Sequence, residues 1–293
     1  MGTYAGTNNG EQRSARRRRR VTAYTPGVRV ATFNLHAGVD GWGRPTRAVD
    51  HAASLDADVL VLPEVWRGDD GTDLFDELAT RLTMTGLFVP LARAERITSG
   101  RGGSGWQPRL AHVTGEHGLY FTEHRTLSPV QRMRRRSIAT VEVGTWGIGL
   151  LTRLPLRDVR AEPLERLPRE RVRRAVIVAD LLLGDREFSV IALHGAHLSH
   201  GSYRQYRRVR EIVAELATTR PIILAGDLNS WRPPLRVFLP GWQSLVRART
   251  WPARHPHSQI DHILGRGPWC KLGGGASDGG SDHRALVADV SLD

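Results

Sequence analysis

Residues 221–231 read P-I-I-L-A-G-D-L-N-S-W, and the interpretation of this stretch decides the fold. Ile222 to Ala225 are four consecutive apolar residues of the kind that fill a central strand covered on both faces, and Gly226 ends the run. An aspartate at the end of such a strand loses its hydration unless a partner or a substrate uses it. Asp227 and Asn229 would also suit an ordinary turn, because both side chains bend and cap chain ends. The rest of the chain has to decide between a turn and a site.

The same pattern of an apolar run ending in a polar group recurs. V-A-T-F ends at Asn34, V-L-V-L-P at Glu64 and V-I-A-L at His194, while the last apolar run follows S-D-H at 281–283. Strands are expected at 28–33, 58–62, 147–151, 175–183, 187–193, 221–225, 259–264 and 285–290. Helices are expected near 45–55, over 72–84 with Leu74, Phe75, Leu78 and Leu82 on one face, and at 202–217. If these strands share one or two packed sheets, their ends converge on one rim, where α/β proteins build ligand sites. Residues 1–26, rich in Gly, Asn, Ser, Thr and Arg, read as a disordered Arg-rich arm. Residues 27–293 read as one folded domain. Within it the segment 92–137 lacks sustained pattern and reads as a long loop or insertion, with loops and a hairpin covering one edge.

Bulk properties narrow the field. The chain has 293 residues, 40% of them hydrophobic, and a mean hydropathy of −0.34, enough for one large α/β domain or two modest ones. Cys270 is the single cysteine, which excludes an intramolecular disulfide and a thiolate metal cluster. No run of about 18 apolar residues is present, and the arginine block at 16–20 leads into no apolar segment, so neither a membrane span nor an export signal is expected. A cytoplasmic protein without stable membrane association fits that pattern. The formal charge is +12. Six Arg against one Glu in residues 1–20 supply +5 of it, and Lys271 is the only lysine. An arginine bias of this kind also follows from genome composition, yet a basic surface favours polyanionic partners.

The strand-end residues, Asn34, Glu64, His194, Asp227, Asn229, Asp261, Asp282 and His283, are carboxylates, amides and imidazoles. Hard oxygen donors suit Mg²⁺, with Mn²⁺ as the second choice, whereas zinc wants more imidazole or thiolate. The set also supplies what hydrolysis of a phosphate ester needs: a carboxylate to orient or deprotonate water, and an imidazole and an amide for the non-bridging oxygens.

In order along the chain, F-N-L-H (33–36), L-P-E-V (62–65), A-L-H-G-A-H-L (192–198), G-D-L-N-S (226–230), Q-I-D-H-I-L (259–264) and S-D-H-R-A-L (281–286) resemble the endonuclease/exonuclease/phosphatase superfamily over about residues 28–291. Each piece is weak alone; six in order are strong. The resemblance implies a four-layer α/β sandwich, two packed mixed β-sheets flanked by helices, with 27–293 as the catalytic domain. It implies that Glu64 binds metal, with Asn34 beside it and Asp282 near the ion. It assigns Asp227 to water activation, Asn229 to orienting that water and the phosphate, His283 to the scissile phosphate, and Asp261 to holding the other nitrogen of His283. Two departures stand out. Pro63 replaces the usual glutamine before the glutamate, and the histidine slot is open between His194 and His197, with His194 favoured because its strand ends directly on it.

A metal-dependent nuclease cleaving DNA or RNA is the first expectation, with Trp66 and Trp231 as stacking candidates and a monomer favoured. A sphingomyelin-type phosphodiesterase or phosphoinositide phosphatase is the alternative, and an inactive binding scaffold of the same fold the second. Arg174 is a candidate phosphate contact and His36 a candidate neighbour of the metal pocket. His200 reads as a surface residue, and His255 and His257 as lying outside the site.

Overall fold

The computed structural model describes residues 1–2, 27–40, 45–97, 106–108, 111–113, 120–122, 141–168, 170, 172–216 and 220–293. The expected arm falls outside the described residues apart from Met1 and Gly2. In chain order the strands are β1 (Gly27–Thr32), β2 (Val59–Gly68), β3 (Thr85–Ile97), β4 (Trp106–Pro108), β5 (Ala111–Val113), β6 (Tyr120–Thr122), β7 (Val141–Thr152), β8 (Leu156–Pro163), β9 (Ala175–Leu183), β10 (Arg186–His194), β11 (Ile222–Asp227), β12 (Gln243–Ser244), β13 (Asp261–Arg266), β14 (Trp269–Asp278) and β15 (Arg284–Leu292). The helices are α1 (Ala48–Ser54), α2 (Leu74–Leu82), α3 (Tyr203–Glu215) and α4 (Arg232–Phe238).

Two mixed sheets carry the fold. The first runs β14-β15-β1-β2-β7-β3-β4 and the second β12-β13-β11-β10-β9-β8; β5 and β6 form a separate antiparallel pair. Each large sheet has one parallel pair at its centre, β1 with β2 and β10 with β11, flanked by antiparallel strands. Strand periodicity explains the layering. In β10, Val190 and Ala192 join the core between the sheets while Ile191 and Leu193 join the core under α3 and α4; in β11, Ile223 and Ala225 face inward and Ile222 and Leu224 outward. Continuous apolar runs are what a strand buried on both faces needs. The layers are therefore helix, sheet, sheet, helix, the four-layer α/β sandwich expected from the resemblance. Among the described residues no helix is long and apolar enough to cross a membrane.

Several elements depart from the sequence reading, each for a local reason. Strand β3 enters the segment read as loops, since residues 92–97 pair with β7. Pro90 sits in this strand where the register slips between Pro90 and Ala92, a bulge that spares the ladder a missing donor. In the same segment β5 and β6 pair antiparallel, as a hairpin would. Edge strand β8 is masked by charge, and β14 by its Gly273-Gly274-Gly275 run. Helix α4 begins R-P-P, and prolines in the first helical turn cost no hydrogen bond.

Candidate active site

Register places three of the expected groups side by side. His194 pairs with Asp227 across β10 and β11, and Asp227 pairs with Asp261 across β11 and β13. All three continue the inward-facing positions of their strands, so their side chains emerge at the end of the core between the sheets. Gly226 makes this packing feasible, because a Cβ there would lie 1.8 Å from the Leu193 carbonyl oxygen. Beyond Asp227 the chain turns sharply. The Asn229 amide N–H donates to Asp227 Oδ1 at 2.8 Å, and its side-chain NH₂ donates to the Gly195 carbonyl at 3.0 Å. Leu228 packs under α3, where the buried Tyr206 hydroxyl donates to its carbonyl.

The facing sheet supplies its groups from irregular backbone. Glu64 is the extra residue of a bulge in β2, where pairing with β7 slips between Pro63 and Val65, and its φ is +56°. A bulge re-aims one side chain without ending the strand. Asn34 follows β1, whose pairing continues through Phe33 N–H to Val61 and Leu35 N–H to Pro63. Its side-chain NH₂ donates to Glu64 Oε1 at 3.3 Å and to Asp227 Oδ2 at 3.1 Å, and its oxygen accepts the His36 N–H at 2.9 Å. Asn34 thus ties the acids of the two sheets together. The 281–283 loop closes the other side, with Ser281 Oγ donating to the Asn34 carbonyl at 2.7 Å.

His283 Nδ1 lies 2.8 Å from Asp261 Oδ2, and its Nε2 lies 3.7 Å from Asp227 Oδ2. Burial works against its charge, but Asp261 and Asp227 outweigh burial and hold its pKa well above the usual histidine value. His194 behaves oppositely. Burial, then the nearby Arg174 and His283 charges, hold its pKa well below the usual value, so it is a neutral imidazole with Nε2 at 3.7–3.8 Å from Asp227 and Glu64. Burial and the Asp261 charge push Asp227 up to about 7 against the pull of His283.

These groups surround a cavity of about 790 Å³, the size of a small-ligand site. Glu64, His194, Asp227, Asn229, Asp282 and His283 line it, while Asp261 lies behind His283 and Asn34 behind the carboxylates. Both histidine candidates, His194 and His197, also line it. Arg174 does too, with its guanidinium donating to the His194 carbonyl at 3.2 Å, and so does His36, 3.9 Å from Asp282. Two expectations change, and one residue is new. Trp66 is fully buried in the core and cannot stack on a ligand. His257, read as outside the site, is a cavity wall, as is Trp251. Thr250, which carried no sequence signal, accepts the Asp261 N–H at 3.3 Å and so positions that acid.

The donor set fits a divalent cation. Three carboxylates line the cavity with a fourth behind, and burial, with the Asp261 charge, raises the Asp227 pKa, a penalty on its ionised form that a nearby cation would offset. The tightest metal-capable group is Asp227, Asp261 and His283, with ligand atoms within 4.8 Å, but its His283–Asp261 hydrogen bond competes with coordination. Glu64 and Asp282, whose side chains are 13% and 30% exposed, present carboxylate oxygen to the cavity.

Two facing mixed sheets with acids and imidazoles gathered at one end define an α/β sandwich of the phosphoesterase type. The chain belongs to the Endonuclease/Exonuclease/phosphatase family, whose profile matches residues 31–283. Solved structures with the same fold include an endonuclease/exonuclease/phosphatase from Beutenbergia cavernae, with TM-score 0.60 and 18% identity over 91% of this chain and 72% of that one. The human Nocturnin catalytic domain with bound sulfate aligns with TM-score 0.56 and 18% identity, over 92% and 94% of the two chains. A humanized D. rerio TDP2 aligns with TM-score 0.56 and 13% identity, over 91% and 99%. No curated protein sequence matches this chain.

Proposed function

We propose that this chain is a divalent-metal-dependent phosphodiesterase that hydrolyses nucleic acid by direct attack of water. One observation carries the reading: the two sheets deliver acids and imidazoles to opposite walls of one cavity, bridged by Asn34 between Glu64 and Asp227. Asp227 orients the attacking water and accepts its proton. Asn229 assists, since its NH₂ is committed to Gly195 and its oxygen remains to accept from that water. His283, with Nδ1 held by Asp261, directs a charged Nε2–H at a non-bridging phosphate oxygen. Neutral His194 offers a hydrogen bond to the carboxylates or the phosphate without adding charge, and Asn34 keeps Glu64 and Asp227 in register. When bound by Glu64 and Asp282, Mg²⁺, or Mn²⁺ in its place, would supply charge stabilisation on the phosphate.

The test is hydrolysis of bis-p-nitrophenyl phosphate, plasmid DNA and an RNA oligonucleotide, with Mg²⁺, with Mn²⁺ and with EDTA. Turnover that needs metal and disappears in Asp227→Ala is expected. Equal inactivity of both proteins on every phosphodiester and phosphomonoester tried would overturn the proposal.

A further inference from the structure

The arginines of this chain differ in how they are neutralised. Three of the four on α3 are paired locally: Arg204 and Arg207 with Glu165, and Arg208 with Glu162, Glu211 and Glu215, while Arg210 has no ion-pair partner among the described residues. Arg232, Arg236, Arg247, Arg249 and Arg254 have no ion-pair partner among the described residues. Genome composition explains an abundance of arginine but not why acidic partners cover most arginines of α3 and none of the five between 232 and 254. Three of them, Arg232, Arg236 and Arg247, are also clustered. Arg232 and Arg236 lie one turn apart on α4, and burial together with the Arg247 and Arg236 charges lowers the Arg232 pKa. Gathering like charges on a surface is unfavourable unless an anion offsets them.

Two indoles lie beside this cluster at the cavity mouth. Trp231, immediately before α4, is 55% exposed, and Trp251, between Arg249 and Arg254, is 37% exposed; both line the cavity that holds Asp227 and His283. His257 meets the Trp251 ring edge-on at 5.5 Å, which props that ring at the rim. The Trp251 loop is tied to the catalytic wall by the Ala253 N–H, which donates to the Asp282 carbonyl at 2.7 Å. Exposed indoles next to uncovered guanidiniums make a surface on which unpaired bases stack while the backbone is neutralised. Bases paired and stacked inside a duplex cannot offer their faces to such rings.

Resting on the phosphodiesterase reading of the same cavity, we propose that Trp231, Trp251 and the arginines at 232, 236 and 247 form a track for single-stranded nucleic acid leading from the catalytic cavity. The strand lays its phosphates along the arginines and stacks bases on the two indoles.

The test is fluorescence anisotropy of labelled dT20 and of a 20-base-pair duplex, over a range of salt, with Asp227→Asn protein to prevent cleavage. Tighter binding of dT20 than of duplex is expected, with an approximately tenfold loss in Trp231→Ala and in Trp251→Ala. The triple variant Arg232→Gln/Arg236→Gln/Arg247→Gln should lower the slope of log affinity against log salt by about 2. The control Arg204→Gln/Arg207→Gln, at paired arginines of α3, should leave the slope where it was. An unchanged slope in the triple variant, equal affinity for duplex, or stronger binding of phosphatidylserine vesicles lost in the same triple variant would each overturn the track. Wild-type turnover of bis-p-nitrophenyl phosphate separates the two readings: turnover without dT20 binding sinks the track alone, and absence of turnover on all phosphoesters sinks the catalytic reading.

Discussion

The two sheets share a plan and differ in how they deliver chemistry. Each has a central parallel pair whose ends point at the cavity, β1 with β2 on one side and β10 with β11 on the other. The second sheet delivers His194, Asp227 and Asp261 from one register row, although Gly226 before Asp227 has φ of +142° and Asn229 beyond it +49°. The first uses exceptions, with Glu64 on a bulge and His36, Ala37 and Gly38 at φ of +46°, +55° and +74°. Consecutive left-handed residues cost energy that the surroundings must offset. Here Arg96 holds the Ala37 carbonyl at 2.8 Å and the His36 ring faces the Val39 carbonyl at 2.8 Å. On the proposed reading Asp227 handles the water from the register row and Glu64 holds the cation from the bulged strand, while the phosphate contact His283 lies just before β15 of the first sheet.

The sharpest way to break that assignment is to remove one acid from each sheet. Asp227→Asn preserves shape but not basicity, and kcat should fall by 10³- to 10⁴-fold, about the range of a lost general base, at any metal concentration. Glu64→Gln should cost about 10³-fold at low metal, and raising Mg²⁺ should restore part of it, because the defect lies in holding the ion. Steady-state kinetics over a Mg²⁺ titration checks both. If excess Mg²⁺ restored Asp227→Asn and left Glu64→Gln unchanged, the assignment of roles would be reversed.

Legibility was uneven even within the row. His194 and Asp227 could be read directly, since the apolar runs that stop at them are visible in one dimension. Asp261 and His283 needed the resemblance, because nothing local shows that residues 22 apart share a proton. The bulge at Glu64 was invisible: L-P-E-V reads as a strand ending, whereas β2 continues to Gly68. Trp66 looked like a site aromatic and is core, while His257 read as outside the site and is a cavity wall, together with Trp251, which drew no reading. Burial depends on partners remote in sequence, and no local pattern encodes it.

Acid should separate the sheets as well. His262, in β13, is buried with Nε2 at 2.9 Å from the Ser230 carbonyl, and burial lowers its pKa to about 4. The unfolded chain binds this proton near pH 6.5 and the folded chain only near pH 4, so stability falls as pH drops through that window. The loss approaches about 3 kcal/mol at the acid end. His262→Gln should flatten the dependence, measured as the difference between wild-type and variant thermal midpoints at pH 7 and pH 4.5. His283 has a raised pKa and contributes with opposite sign, which is why the comparison must be with the variant and not with wild type alone. A difference that does not change with pH would show that His262 is not held neutral by the fold.

The smallest effect probes the helices that cover the two sheets. Asp73 caps α2 over the first sheet, accepting the Phe75 and Asp76 N–H groups at 3.0 Å each. Helix α3 over the second sheet has no side-chain cap and relies on buried Tyr206, Val209, Ile212 and Val213. Helix ends leave orphan donors, so a cap matters most where the packed face is short. Helix α2 has nine residues and buries Leu74, Phe75 and Leu78, whereas α3 has thirteen. Asp73→Ala should therefore cost about 1 kcal/mol in urea unfolding, whereas Ser202→Ala before α3 removes no cap and should leave the helix terminus undisturbed. Asp73 also pairs with Arg67 at 2.7 Å, so Asp73→Asn, which keeps the cap and drops the charge, separates the two contributions. If Asp73→Asn is as destabilised as Asp73→Ala, the ion pair and not the cap holds α2 on its sheet.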